Sequence, residues 1–308
     1  LSQVSFSAAP GQMIAFVGPS GAGKSTIANL IPRFYEVSSG AIRIDGYDVR
    51  DVTMESLRGQ IGIVPQETML FSATVRENIR YGRLDATEEE IVQAAKRASC
   101  HEFITSLPNG YDTIAGDGGN NLSGGEKQKI ACASVNVLQP GILLLDEPSA
   151  NLDYEATDNL RKILLAWKYA GKTILIAEHR INYVWDLVDR VIILENGSIK
   201  KDLYHGEITG FTEEDAARYG LRSMQRIPPT NMVKKIAECA MKAEECICLK
   251  NFHYSYNKKQ EIYSIPEMKI HINKVTAIVG ANGAGKTTFL ESVCGIRKND
   301  GIMALNGV

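Results

Sequence analysis

The stretch Gly18-Pro-Ser-Gly-Ala-Gly-Lys24-Ser25 decides the fold of this chain, because it fits the pattern G-x-x-x-x-G-K-[ST]. It follows the apolar run Met13–Val17, which is typical of a β-strand, and precedes a helical pattern. Glycines at these positions let several backbone N–H groups turn inward and form a nest for phosphate at a helix N-terminus. The sequence therefore predicts a nucleotide-binding loop, with the Lys24 amine on the β- and γ-phosphates and the Ser25 hydroxyl on Mg²⁺.

The same pattern returns near the end of the chain, as Gly280-Ala-Asn-Gly-Ala-Gly-Lys286-Thr287. The hairpin signal Gly40–Gly46 also returns, as Gly301–Gly307. The two lysines are 262 residues apart and the first glycines of the two hairpin signals are 261 apart, so the copies stay in register. We therefore predict a duplicated domain whose second copy is truncated.

Length and composition narrow the functional class. The chain has 308 residues, which can hold two domains, and its 44% hydrophobic content is ordinary for a globular protein. A formal net charge of −2 argues against a dedicated nucleic-acid binder. No apolar run approaches the ~20 residues that cross a bilayer, and no signal peptide opens the chain. The six cysteines form neither C-x-x-C pairs nor a disulfide framework, which fits a reducing cytosol. Since the chain starts at Leu1 without methionine, we expect a fragment of a longer protein.

Residues 1–205 are predicted to form an α/β domain with a mainly parallel sheet. Uninterrupted apolar runs such as Ile142–Leu145 are typical of parallel strands that are covered on both faces. Asn196-Gly197 predicts a tight hairpin at the sheet edge. From Leu84 to Gln139 the pattern becomes helical, which predicts an inserted helical lobe. Within this stretch, Thr87 and Glu90 have the spacing of a capping box at a helix start. The predicted strands are Met13–Val17, Ala41–Asp45, Ile61–Val64, Ile142–Leu145, Thr173–Ala177 and Val191–Glu195.

Residues 206–245 are predicted to be a helical linker. Thr212 begins a short helix, Pro228-Pro229 interrupts the chain, and Asn231–Glu245 is a charged helical stretch. Residues 246–308 are predicted to be the N-terminal part of the second copy. We expect strands near Ile247–Tyr254 and Val275–Val279, with a helix after Lys286.

Two carboxylates end the apolar run Ile142–Leu145. In proteins with this type of phosphate loop, an aspartate at such a strand end lies opposite the loop and orients Mg²⁺, which gives Asp146 its predicted role. Side chains alternate along a strand, so Glu147 points elsewhere and can polarise an attacking water. A solvent-exposed acidic turn is the alternative.

Ser123 and Glu126 have the spacing of a capping box that opens the helix Lys127–Leu138. The two glycines between them allow the backbone to approach an anion closely, and a helix N-terminus favours negative charge. On its own this segment is more often a plain helix cap. Its position about twenty residues before Asp146 and Glu147 favours a functional motif.

As a set, these motifs resemble the ATPase domains of ABC transporters. The phosphate loop, Gln66, Leu122–Glu126, the run that ends in Asp146-Glu147-Pro148, Ser149–Asp153 and His179 stand in the order and spacing of that family. The resemblance covers nearly all of residues 1–205 and begins again over 246–308. It implies an ABC-type fold with a mainly parallel sheet, an antiparallel β subdomain and a helical lobe.

The resemblance also implies a head-to-tail dimer, in which ATP lies between the phosphate loop of one domain and the Leu-Ser-Gly-Gly segment of its partner. It makes Glu147 the general base, His179 a γ-phosphate contact and Asp153 part of the link across the dimer. It assigns Gln66 to Mg²⁺, to the attacking water and to coupling with a membrane subunit. The predicted nucleotide contacts of the first copy are Gly18, Pro19, Ser20, Gly21, Ala22, Gly23, Lys24, Ser25, Thr26, Leu122, Ser123, Gly124, Gly125, Glu126 and Asp153. The predicted metal ligands are Ser25, Gln66, Asp146 and, in the second copy, Thr287.

The second copy contains only part of the family pattern. Tyr256 takes the place of the aromatic residue on which the family stacks adenine, a residue that the first copy lacks. No glutamine loop, Leu-Ser-Gly-Gly segment or Asp-Glu strand follows. The predicted nucleotide contacts here are Tyr256, Gly280, Gly283, Gly285, Lys286, Thr287 and Thr288.

Two likenesses within the family meet in the first copy. Residues 1 to about 125 resemble exporter ATPase domains, for example at Val64–Ser72. From Lys127 onward the chain is more similar to the double ATPases of energy-coupling-factor importers, including Glu178-His179-Arg180. We expect a join near residues 113–130, and the direction of transport stays open.

The resemblance predicts an ATP-hydrolysing transporter subunit at the cytoplasmic face of the cell membrane. Its expected partners are a membrane-spanning permease and a second ATPase domain, from a homodimer or a related subunit, with no nucleic acid. The alternatives are an ABC protein that acts on ribosomes or DNA, and an inactive fragment. The linker is shorter than that of translation-type members and is broken by Pro228-Pro229, and no heptads follow the first loop as in repair-type members.

Overall fold

The computed structural model describes residues 1–119, 121–219, 246–257, 260–272, 274–280, 284–297 and 300–305. The chain divides into two compact units, Leu1–Arg226 and Ile227–Val308, called here the first and the second unit. Among the described residues, no helix is both long enough and apolar enough to cross a membrane.

The first unit is built on a six-stranded sheet with the order β4-β5-β6-β1-β7-β8 and a separate hairpin, β2-β3. All neighbours in the large sheet are parallel except β7 and β8, which are antiparallel. The strands are β1 Met13–Val17, β2 Arg43–Ile44, β3 Tyr47–Asp48, β4 Ile61–Val64, β5 Ile142–Asp146, β6 Thr173–Ala177, β7 Arg190–Glu195 and β8 Ser198–Tyr204. The predicted strands agree with these within two residues at either end.

Strand β1 is the centre of this sheet and every residue in it is buried. Ile14 is in register with Leu175 of β6 on one side and with Arg190 of β7 on the other. Because side chains alternate along a strand, Met13 and Val17 join the core on one face of the sheet, while Ile14 and Phe16 join the core on the other. The strand thus has no polar face, which is why its sequence is an uninterrupted apolar run.

Helices cover both faces of the sheet, and several begin at side-chain caps that the sequence predicts. Thr87 and Ser123 each cap a helix through a capping box, with Glu90 and Glu126 as the reciprocal partners. The helices of the first unit are α1 Lys24–Leu30, α2 Met54–Gly59, α3 Val75–Arg80, α4 Glu88–Arg97, α5 His101–Ser106, α6 Gly124–Leu138, α7 Tyr154–Tyr169, α8 His205–Ile208 and α9 Glu213–Arg218. Helices α4 to α6 lie within the stretch predicted as a helical lobe, and α3 directly precedes that stretch.

The predicted hairpin joins β7 to β8. Asn196 and Gly197 have φ angles of 49° and 74°, the left-handed conformation that a tight two-residue turn needs at both positions. The chain then enters the region predicted as a linker. Here Thr212 caps α9 as predicted, and Ile208 and Ala216 are buried in the core of the first unit. The predicted features of residues 220–245 lie outside the described residues.

The second unit is a three-stranded antiparallel sheet with the order β10-β9-β11 and one described helix. The strands are β9 Cys246–Asn257, β10 Gln260–His271 and β11 Asp300–Leu305, and the helix is α10 Lys286–Val293. Leu249 and Phe252 of β9 pack with Phe289 of α10 in a small core. The predicted strand Ile247–Tyr254 and the helix after Lys286 are therefore present.

The predicted strand Val275–Val279 is wrong. Residues 275–279 have no regular secondary structure, and Val275 and Val279 are largely exposed. The equivalent strand of the first unit, β1, lies between β6 and β7, which supply its hydrogen bonds and bury both of its faces. Among the described residues after Gly280, β11 is the only strand, and it pairs with β9 instead. An apolar run without neighbours of this kind cannot form a buried parallel strand.

Candidate nucleotide-binding site

The first phosphate loop lies between the end of β1 and the start of α1, and its backbone is left-handed at three glycines. The φ angles are 146° at Gly18, 78° at Gly21 and 103° at Gly23. A Cβ atom at Gly18 would lie 2.1 Å from the carbonyl oxygen of Leu194 in β7, so a side chain cannot be accommodated there. The loop therefore needs glycine for both its conformation and its close contact with the sheet.

The Lys24 side chain lies inside this loop and is only 4% exposed. Its Nζ atom donates to the carbonyl oxygens of Gly18 and Pro19, at 3.0 and 3.1 Å. Burial lowers the pKa of the amine, and the negative charges of Glu147 and Asp146 oppose that effect. The loop thus holds a positive charge at its centre, where a phosphate group would be bound.

Ser25 and Asp146 bring two oxygen atoms together beside Lys24. The Ser25 hydroxyl donates a hydrogen bond of 2.9 Å to Oδ1 of Asp146. Burial raises the pKa of the Asp146 carboxyl, while the bond from Ser25 acts in the opposite direction. A hydroxyl and a carboxylate are hard oxygen ligands of the kind that Mg²⁺ takes together with substrate phosphates and water. The pair fits the predicted metal, although the described residues contain no cluster of three or more His, Cys, Asp or Glu side chains that could hold an ion alone.

Glu147 follows β5 in a strained conformation that turns its side chain away from Asp146. Its φ angle is +43°, and its N–H donates to the carbonyl oxygen of Ala177 at 2.8 Å. One of its carboxylate oxygens lies 3.0 Å from Nε2 of His179. The same nitrogen lies 3.0 Å from Nζ of Lys24. Three of the predicted site residues therefore converge within hydrogen-bond distance at the ends of β1, β5 and β6.

No role was predicted for Glu178, which directly precedes His179. This carboxylate is only 1% exposed and accepts a hydrogen bond from the N–H of Ser149, at the start of the segment Ser149–Asp153. A charged residue that follows the apolar strand Thr173–Ala177 and precedes a candidate site histidine was the available signal.

The Leu122–Glu126 segment does not join this group within the first unit. Ser123 is exposed and caps α6, its Oγ accepting from the N–H of Glu126 at 3.3 Å while its own N–H donates to Glu126 at 2.7 Å. A Cβ atom at Gly124 would touch only the backbone of Asn151, at 3.6 Å. Leu122 is buried and anchors the segment. The tip of α6 is thus a solvent-facing helix N-terminus with a short, accessible backbone.

Two further predicted residues lie apart from the loop. Gln66 is exposed and follows β4, whose residue Val64 pairs with Leu145 of β5, so it lies beyond the same sheet edge as Asp146. Asp153 caps α7, with its Oδ1 accepting from the N–H of Ala156 at 2.9 Å.

The second loop keeps one feature of the first. Lys286 donates from Nζ to the carbonyl oxygen of Gly280 at 2.9 Å, as Lys24 does to Gly18, and Gly285 has a φ angle of 84°. Thr287 is exposed and Thr288 is buried. Gly283 lies outside the described residues, and so does the side chain of Tyr256. The described residues of the second unit bring no strand-end carboxylate to this loop.

Comparison with known proteins gives the family. A family model described as "ABC transporter" matches residues 1–150 and 264–308, which together are more than half of the chain. The chain belongs to the ABC transporter family. The resemblance drawn from the motifs is therefore confirmed, and the chain carries an ATP-binding domain of that family.

Individual relatives include exporters. An uncharacterized ABC transporter ATP-binding protein of Bacillus subtilis strain 168 is 45% identical over 208 residues, which are 68% of this chain and 36% of that protein. ATP-binding cassette sub-family B member 6 of Xenopus tropicalis is 47% identical over 68% of this chain and 24% of its own. A putative multidrug export ATP-binding/permease protein of Staphylococcus aureus strain NCTC 8325 is 46% identical, with 68% and 36% covered. The matched part of this chain thus spans between about a quarter and about a third of the length of these relatives.

A solved structure confirms the fold. The structure of a bacterial Atm1-family ABC exporter with ATP bound matches with a TM-score of 0.64 and 39% identity, over 78% of this chain and 39% of the other. The predicted ABC-type α/β fold, with its mostly parallel sheet and its helices, is therefore correct.

Proposed function

We propose that this chain binds and hydrolyses ATP as the motor part of an ABC exporter. The observation that carries the proposal is the convergence of Lys24, His179 and Glu147 within 3.0 Å beside a glycine-rich loop. A cation for phosphate, a strand-end carboxylate and an imidazole are the groups that hydrolysis of a terminal phosphate requires.

Each residue has a distinct part in the proposed reaction. The loop Gly18–Ser25 binds the phosphates through its N–H groups, and Lys24 balances their charge. Ser25 and Asp146 would hold Mg²⁺, and the bound ion would supply positive charge against the phosphate oxygens. Glu147 accepts a proton from the attacking water, and His179 donates a hydrogen bond to the γ-phosphate. The tight Lys24–His179–Glu147 contact opens when a phosphate enters between these side chains.

A complete site needs a second copy of the first unit. Ser123 caps a helix whose N-terminus faces solvent, and no described hydrogen bond links this segment to the loop Gly18–Ser25 of the same unit. The exposed tip of α6 is therefore free to face the phosphates of a partner, with Asp153 beside it. We propose a head-to-tail dimer, because such an arrangement places two of these tips on two loops.

The segment that follows Gln66 is proposed to dock on a membrane permease. Four large apolar side chains are exposed here, and the rings of two of them, Phe71 and Tyr81, are in contact, with centroids 4.5 Å apart and planes tilted by 50°. The four are Met69, Phe71, Tyr81 and Leu84. Exposed apolar groups in one segment are typical of a contact surface. We therefore propose a peripheral location on the cytoplasmic side of a membrane, and the exporters among the relatives favour export.

The test is turnover of MgATP by the purified chain and by Glu147→Gln. The variant keeps the loop and Lys24, so ATP binding should change by less than about threefold. Loss of the proton acceptor should lower kcat by roughly 10²–10⁴-fold. Both quantities are measured by fluorescent-nucleotide titration and by release of inorganic phosphate.

Glu195→Gln is the matched control. Glu195 also ends a strand of the same sheet, β7, but its carboxylate pairs with Lys200 at 3.2 Å. This variant should hydrolyse ATP at the wild-type rate. Wild-type turnover by Glu147→Gln, or absence of turnover in the wild-type chain, would contradict the proposed function.

A further inference from the structure

Glu178 is a buried carboxylate that lies between two motifs of the site without belonging to either. It is 1% exposed and directly precedes His179. A carboxylate this deeply buried is costly unless hydrogen-bond donors surround it. Its partners therefore show what its burial serves.

Four donors reach Glu178, and they come from two separate segments and one buried phenol. Oε2 accepts from the N–H groups of His179 and Arg180, at 2.9 and 3.1 Å. Oε1 accepts from the N–H of Ser149 at 3.1 Å and from the Tyr183 hydroxyl at 2.9 Å. Oε2 thus holds the backbone of the histidine segment, and Oε1 holds the first residue of Ser149–Asp153.

Arg180 ties the same two segments together a second time. Its Nη1 atom donates to the carbonyl oxygens of Ser149 and Leu152, both at 3.4 Å. The peptide groups of Ser149 are therefore held on both sides, the N–H by Glu178 and the carbonyl by Arg180. Residues 178–180 and 149–152 form one hydrogen-bonded body.

We propose that Glu178 is a positioning residue that makes the place of the His179 imidazole depend on the place of the Ser149–Asp153 loop. The proposal rests on the function proposed above, in which this loop meets the partner domain. When the loop moves against a partner, the Ser149 peptide pulls on Glu178, and Glu178 shifts the backbone of His179. The histidine then approaches or leaves Glu147 and Lys24, which it contacts at 3.0 Å. Arrival of the partner is thereby transmitted to the γ-phosphate contact.

Glu178→Gln should remove the hydrogen bond from Ser149 to residue 178 and keep the bonds from His179 and Arg180. A carboxamide has one acceptor oxygen and one NH₂ donor in place of two acceptors. With its oxygen toward the N–H groups of His179 and Arg180, it keeps both of those bonds. Its NH₂ then faces the Tyr183 hydroxyl, which can accept, and the Ser149 N–H, which cannot. Only the bond to the loop is lost.

Tyr183→Phe is the matched control. It also removes one hydrogen bond from the buried carboxylate, but it leaves both segments attached to Glu178. It should lower the melting temperature while Ser149 stays bonded. A purely structural role for Glu178 predicts that the two variants behave alike.

The first measurement is amide hydrogen exchange of the full chain without nucleotide. Glu178→Gln should speed exchange at residues 149–152 by about tenfold or more, with β5 unchanged. Tyr183→Phe should leave residues 149–152 at the wild-type rate. Equal exchange in the two variants would overturn the proposal. This readout needs no ATPase activity, so it stands apart from the test of the proposed function.

The second measurement separates kcat from KM for MgATP. Glu178→Gln should lower kcat by about tenfold or more at an unchanged KM, because the loop Gly18–Ser25 is intact, while Tyr183→Phe keeps kcat within about twofold. If Glu178→Gln does not fold, Arg180→Met tests the same link from the carbonyl side, with the same expected drop in kcat. Wild-type kcat in a folded variant that lacks the hydrogen bonds to the Ser149–Asp153 loop would refute the coupling. A wild-type chain that never hydrolyses ATP would instead refute the function proposed above.

Discussion

The hydroxyl of Ser25 donates a hydrogen bond of 2.9 Å to Oδ1 of Asp146. This bond joins the first turn of α1 to the last residue of β5, which lie far apart in the sequence. Two oxygen ligands are therefore already side by side in the folded chain. A divalent cation would only have to replace the hydrogen bond between Ser25 and Asp146. Little rearrangement of the protein would therefore oppose its binding.

Ser25→Ala should separate the contribution of Mg²⁺ to ATP affinity from the contribution of the phosphate loop. The phosphate loop and Lys24 remain, so binding of ATP in excess chelator should stay within about threefold of the wild type. The tightening that Mg²⁺ adds should fall by roughly tenfold, since one hard ligand is lost. Titration of labelled ATP with and without Mg²⁺ measures both. Ser25→Thr, which keeps the hydroxyl, should behave as the wild type, and equal loss in both conditions would remove Ser25 from the metal site.

Two inactive variants should restore each other if the site forms between two chains. Lys24→Met lacks a working loop but keeps its α6 tip, and Ser123→Arg blocks that tip but keeps its loop. Each alone should lose about 10²-fold or more in turnover. Their mixture should recover a clear fraction of the wild-type rate, because a mixed dimer contains one intact loop facing one intact tip.

Mixing either variant with itself at the same total concentration is the control for this complementation. Wild-type turnover per chain should also rise with protein concentration. A mixture that stays inactive, or turnover independent of dilution, would argue that the site does not lie between chains.

Gly82 marks the closest approach within the helical lobe. A Cβ atom there would lie 1.9 Å from the carbonyl oxygen of Ser134 in α6. Gly82→Ala should therefore destabilise the first unit by about 1–3 kcal/mol through overpacking. Gly59, the last residue of α2, has no atom within 4 Å of the same position, and Gly59→Ala should be neutral or stabilise by up to about 1 kcal/mol. Urea unfolding compares the two, and equal midpoints would show that the α6 contact yields freely.

Thiol chemistry should distinguish the two units. Burial raises the pKa of Cys100 and of Cys132 to about 12, whereas Cys294 is exposed. At pH 8 a thiol with such a pKa is only ~10⁻⁴ thiolate, so iodoacetamide should label Cys294 well before these two buried thiols, which should react only on unfolding. Peptide mass spectrometry gives the order of labelling, and early modification of Cys132 would contradict the packing of α6.

The same thiols set a pH dependence of stability. Their pKa is raised in the folded chain above the ordinary value of 9.0, so the folded state favours the neutral form. Their contribution to stability is complete below pH 9 and is lost as the pH rises toward 12, where only the unfolded chain gains by ionising. Replacement of both cysteines by alanine should flatten the unfolding free energy over this alkaline range.

Local pattern was enough for most of the first unit. Apolar runs such as Met13–Val17 and Thr173–Ala177 locate the strands, because parallel strands that are buried on both faces must be apolar throughout. The capping boxes at Thr87 and Ser123 locate two helix starts, because the reciprocal bonds need only the four residues themselves.

Features that depend on distant partners were not predictable in this way. Val275–Val279 has the composition of a strand, but a strand of this type also needs neighbours from elsewhere in the chain. The left-handed backbone of Glu147 and the four hydrogen-bond donors around Glu178 depend on the pairing of β5 with β6. These strands are far apart in the sequence, so no short stretch of it predicts their contacts.

The position of β1 between β6 and β7 has a consequence for folding during synthesis. Met13 is translated long before its partners in the sheet, which are Ile174 and the neighbouring Asp189–Arg190. Until these partners have been translated, β1 is an exposed apolar segment whose peptide groups lack their hydrogen-bond partners. Such a segment in a nascent chain binds chaperones and is prone to aggregation. The phosphate loop, which joins β1 to α1, therefore cannot acquire its folded shape until β6 and β7 have been translated.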